Sequence, residues 1–113
     1  MPITPEFAEL INRLNQELNQ TEQQTAKGLN LARDLLSRFP NNAILIQEFA
    51  YLNAVSLFTE ASRRQIRTAV ETVSSADIPD EIIQETGEGL GNLLGRILEA
   101  RLRVERFIKF LER

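Results

Sequence analysis

Histidine and cysteine are both missing from this 113-residue chain. Without histidine, the commonest general base near neutral pH and the commonest metal ligand are gone. Without either residue, Cys/His zinc sites and Ser–His or Cys–His nucleophile pairs cannot be assembled. The Glu-x-x-His pairs of di-iron bundles are ruled out on the same ground. No disulfide framework exists, and a reducing cytoplasm suits such a chain best.

Long hydrophobic runs are lacking too. A bilayer-spanning helix needs about 20 apolar residues, whereas the most apolar stretch, Ile44 to Phe58, is interrupted by Gln47, Glu48, Asn53 and Ser56. No membrane insertion is expected. The segment Met1 to Glu6 has no basic stretch leading into an apolar one, so it does not read as a signal peptide. There is no excess of positive charge either, the formal net charge being −3. That argues against nucleic acid as the main partner, because neutralising phosphate drives such binding. Nothing resembles an Asp-x-Asp-x-Asp-Gly calcium loop or the Gly-Lys-Ser/Thr ending of a phosphate loop. Accordingly, no catalytic residue, metal ligand or cofactor is assigned.

What is present is helical periodicity. Thr4-Pro5 is a good helix start, with threonine able to cap free N–H groups and proline suited to the first turn. From there Phe7, Ile11, Leu14, Leu18, Thr21, Thr25, Gly28, Ala32, Leu35 and Phe39 follow each other in steps of four and three. This is the seam of a helical bundle. Pro40-Asn41-Asn42 ends the first helix, since proline disfavours α geometry in the residue before it. A second helix runs from about Ala43 to Ser74, and a turn follows around Ser74 to Asp80. A third carries Ile83, Gly87, Leu90, Leu94, Ile97, Arg101, Val104, Ile108 and Leu111 on the same rhythm. The expectation is an all-α fold in a single domain over 1–113. Its three long antiparallel helices, at about 4–39, 43–74 and 78–112, are joined up-down-up by short connections.

The segment from Ile44 to Phe58 stands out. On a helical wheel Ile44, Leu45, Ile46, Phe49, Tyr51, Leu52, Val55, Leu57 and Phe58 surround the axis and leave no polar face. A helix apolar all round is normally covered all round, yet a lone three-helix bundle turns about half of each helix to water. These nine residues are therefore candidate interface residues, for a homo-oligomer (a dimer first) or another helical protein. The alternative is cover from side chains within the protomer.

Gly87, Gly91 and Gly95 form a second feature. Glycine inside a helix costs about 1 kcal/mol relative to alanine, so this spacing suggests close packing of another backbone. Glu81, Glu85 and Glu88 would repel an anion there. Charge is the third feature. Residues 1–22 and 60–95, which the fold brings to one end, sum to −7, and the remainder to +4. Helix dipoles favour much of this arrangement. Arginines outnumber lysines eleven to two, and Arg63, Arg64, Arg67 and Arg101 are candidate anion contacts. Ion pairing within the bundle is the alternative for each. The reading is a non-enzymatic protein–protein interaction module, homo-oligomeric or adaptor-like. Behind it stand an anion or nucleic-acid binder using the arginines and a small electrostatic enzyme acting on an anionic metabolite.

Overall fold

A computed structural model describes residues 4–75 and 77–113. The tripeptide Met1–Ile3, which belongs to the segment read for a signal peptide, and Ala76 in the expected turn lie outside the described residues. Three helices make up the fold: α1 (Pro5–Arg38), α2 (Ala43–Ser74) and α3 (Asp80–Leu111). They run up-down-up as a rod of 58 × 19 × 16 Å, and each helix packs against both others.

The helix ends follow from local chemistry. The Thr4 hydroxyl accepts the Phe7 N–H at 3.2 Å, with Pro5 at the first helical position. The Asn42 side chain accepts the Leu45 N–H at 3.0 Å. These side chains satisfy donors that a helix N-terminus otherwise leaves open. At α3 the helix begins at Asp80, two residues later than the periodicity suggests. Ile78 precedes Pro79, and a residue before proline is pushed out of α geometry; Pro79 itself is extended and caps without a side-chain bond. Asp80 and Glu81 then lie in the first turn, where the helix dipole favours negative charge. Asp77 adopts the left-handed conformation, with φ 61°, to make the turn, one of the few side chains that tolerate it.

The seams meet along the axis of the rod. Phe7, Leu14 and Leu18 of α1 join Ile66, Ala69 and Val73 of α2 and Leu90, Leu93, Leu94 and Ile97 of α3 in one apolar cluster. Ala32, Leu45, Leu52, Val55, Ala100, Val104, Phe107 and Ile108 form a second. Between them lies a waist of four buried hydroxyl residues, Thr21, Thr25, Thr59 and Ser62. Burying a hydroxyl is costly unless it is bonded, and each donates to a carbonyl oxygen of its own helix at 2.6–2.8 Å. The waist is polar in composition yet asks nothing of its neighbours. It admits close approach: a Cβ added to Gly28 would meet the Leu52 methyls at 3.3 Å and the Ile108 side chain at 3.6 Å.

The expected role of Gly87, Gly91 and Gly95 is corrected. They do not interrupt α3, and they bring no other backbone close, since a Cβ at any of them would meet nothing within 4 Å. The stripe of α3 that faces the core is Leu90, Leu93, Leu94 and Ile97; Gly91 and Gly95 lie beside it, exposed. Gly28 of α1 is the glycine that allows tight packing. Gly91→Ala and Gly95→Ala should therefore each raise the unfolding free energy by about 1 kcal/mol in denaturant titrations. A loss of stability would show that another chain packs on these glycines.

Candidate protein-docking surface

The nine candidate interface residues divide into three groups. Leu45, Leu52 and Val55 are buried in the core of the chain itself, because they continue the α2 seam through Thr59, Ser62 and Ile66. They are unavailable to a partner, which corrects that part of the reading. Phe49, Tyr51 and Phe58 are half-buried on the flanks. Ile44, Ile46 and Leu57 remain 58%, 49% and 67% exposed. The protomer thus shelters two thirds of the set and leaves the outermost third in water.

Arginines shelter the flanking aromatics. The Arg103 guanidinium lies 3.6 Å from the Tyr51 ring centroid, that of Arg96 4.9 Å from Phe58, and that of Arg33 5.7 Å from Phe49. A guanidinium over a ring is attracted to its negative face and also covers apolar surface with its stem. Arg103 further pairs with Glu48 at 3.3 Å. Beneath Arg96 and Arg103 runs an open hollow of about 420 Å³ between α2 and α3, floored by Ala54, Val55 and Ala100. A second hollow of about 340 Å³, on the other side of Arg103, is lined by Ile44, Arg106, Phe107 and Phe110 at the end of the rod. Phe39, Leu102 and Phe110 add to the exposed apolar surface of that half. Tyr51 has its phenol pKa pushed above the usual 10.0, chiefly by burial, while the nearby Arg103 charge pulls the other way.

Two of the candidate anion contacts are neutralised inside the bundle. Arg63 of α2 is bonded to the carboxylate of Glu22 and to Asn19 Oδ1 at 2.7 Å, both on α1. Arg101 of α3 is held by Glu17 and Gln20 of α1 and by Glu105 at 3.4 Å. Arg101 is therefore the helix-one ion pair that its place on an apolar seam allowed. Arg64 and Arg67 face water. No group of three or more carboxylates that could hold a metal ion occurs among the described residues. None of the described helices is long and apolar enough to cross a membrane.

The fold sharpens the charge asymmetry. Residues 4–12, 68–75 and 77–95, which meet at one end of the rod, hold eight acidic side chains and no lysine or arginine. All thirteen basic residues lie in the rest. The arginine–aromatic pairs escape sequence reading, since Arg103 and Tyr51 are far apart in the chain and no periodicity couples them. The exposed ridge of α2 had a signal in the wheel, which did not separate its core side from its outer side.

Fold and surface define a three-helix bundle whose middle helix keeps one apolar face uncovered. No protein-family model, no curated protein and no solved structure matches the chain.

Two outcomes test this geometry. Glu17 and Arg101 are only 17% and 20% exposed, so Arg101→Ala strands a largely buried carboxylate and should destabilise by about 2–3 kcal/mol. Replacing both by methionine should cost much less, as chemical denaturation would reveal. Tyr51 is the one tyrosine, so its ionisation can be followed by ultraviolet absorbance. Its pKa is raised in the fold, so its contribution to stability is complete below pH 10.0 and is lost as pH climbs through the raised value. Arg103→Gln should raise that pKa further.

Proposed function

We propose that this protein is a non-enzymatic protein–protein interaction module that works as a homo-oligomer through the outer face of α2. The observation that carries this reading is the exposure of Ile46 and Leu57 on the side of α2 opposite its buried stripe; Ile44, also exposed, lies at the helix start on the α3 side, where it lines a hollow with Phe107 and Phe110. Exposed apolar side chains are ordinary when scattered. Here Ile46 and Leu57 share one side of α2 with exposed alanines and with no charge on that side between residues 43 and 61, while Ile44, Phe39 and Phe110 are exposed at the end of the rod, and apolar surface that is grouped in this way marks interaction sites. Residues that would serve an anion-binding role, Arg63 and Arg101, are spent on internal ion pairs. That favours docking over the nucleic-acid and metabolite readings. An adaptor that offers the same face to a different helical protein is the second form of the reading, and the cytoplasm is the location proposed.

Light scattering tests it. Wild-type protein at micromolar concentration should give a particle larger than the 12.9 kDa protomer. Ile46→Glu and Leu57→Glu should each weaken association by at least about 100-fold, because a buried carboxylate without a partner costs several kcal/mol. Helix content should be unchanged, since both positions face water in the protomer. A wild-type monomer at every concentration overturns the homo-oligomeric form.

A further inference from the structure

α2 carries a second seam. Ala43, Ile46, Ala50, Ala54, Leu57 and Ala61 are all exposed, and at 3.6 residues per turn they fall within an arc of roughly 80° on the side away from Leu45, Leu52 and Val55. Their steps of three and four continue for five turns. No charge interrupts the arc. Between residues 43 and 61 the only charged side chains are Glu48 and Glu60; Glu48 is turned inward to Arg103, and Glu60 lies off the arc near the α1 side. A solvent face on a stable helix is normally polar, and this one is alanine with two large aliphatic residues.

We infer that the occupant of this face is a second copy of the chain, its α2 packed antiparallel on the first about a twofold axis beside Ala54. This rests on the homo-oligomeric reading above and adds the geometry. The sizes complement each other about that axis. Ile46 falls opposite Ala61 of the second copy and Leu57 opposite Ala50, which puts the axis midway between residues 53 and 54 and brings the two Ala54 residues within one helical rise of each other along the helix. A twofold interface must be complementary to itself, and large-on-small pairing lets two helices approach to about 8 Å.

A parallel pair would instead set Ile46 on Ile46 and Leu57 on Leu57. It would also set two acidic tips side by side, sixteen carboxylates with no base among them, and like charges so placed repel. The antiparallel pair sends those tips to opposite ends of the assembly. Its overlap, about 32 Å long, runs from Ala43 to Arg64, so the apolar seam of 43–61 is closed at its far end by the exposed Arg64.

The chain has no cysteine, so single introduced thiols report the geometry cleanly. Under mild oxidation of the full chain, Ala54→Cys should cross-link to completion, because the two Cα atoms fall within bridging distance beside the axis. Ile46→Cys should not, its two copies being about 22 Å apart along the helix. The double variant Ile46→Cys/Ala61→Cys should cross-link again. A native particle of two protomers in which Ile46→Cys links as readily as Ala54→Cys overturns the antiparallel arrangement, and so does one in which neither links. In both cases the native mass leaves self-association itself standing. A wild-type particle of one protomer fails both readings at once, which separates the two kinds of failure.

Discussion

A helix in a three-membered bundle can turn one stripe toward its two neighbours, and α2 has apolar residues for two. Everything distinctive about the molecule follows from that mismatch. Leu45, Leu52 and Val55 take the inner stripe and continue it through Thr59, Ser62 and Ile66 to Val73. The outer side chains of the same segment then have no helix to lie against. α1 keeps its apolar residues to one seam, and α3 does so apart from the exposed Ile82, Leu102 and Phe110.

The arginines are the molecule's partial answer. Arg33 of α1 and Arg96 and Arg103 of α3 lie over Phe49, Phe58 and Tyr51, shielding the flanks of α2 without closing the ridge between them. Their bias over lysine has a physical reason in this setting, since a planar, weakly hydrated guanidinium stacks on rings as an ammonium does not. Arg63 and Arg101 put the same chemistry to another use, tying α2 and α3 to carboxylates of α1. These pairs help to hold the register in which Gly28 meets Leu52 and Ile108. Near it the hydroxyl waist divides the core, so the rod has two apolar halves rather than one. The uncovered surface belongs to the half rich in basic residues, and the half with the acidic tip is well sealed.

Helix positions were readable from the chain with little error. Thr4, Asn42 and the prolines at 5, 40 and 79 act within a few residues of themselves, so their effects do not depend on the rest of the fold. The seams of α1 and α3 were legible over their middle turns, because a four-three rhythm has only one way to face a core; at the end of α1 the rhythm overran, since Phe39 lies beyond the helix and is exposed. Local reasoning failed at the glycines of α3: their spacing signals close approach, but whether anything approaches is decided by the neighbour, and α1 packs on Leu90, Leu94 and Ile97 instead.

Three long helices, and a middle one with apolar residues on more than one side, are written in the order of the residues alone. Periodicity and capping are local and additive along the chain, so they can be read one segment at a time. Packing settles the rest: which side of α2 is core and which is bare, and which arginines pair with acids or roof aromatic rings. Those outcomes depend on the rotation of each helix about its axis and its level along the rod, two quantities set by packing between residues distant in the chain.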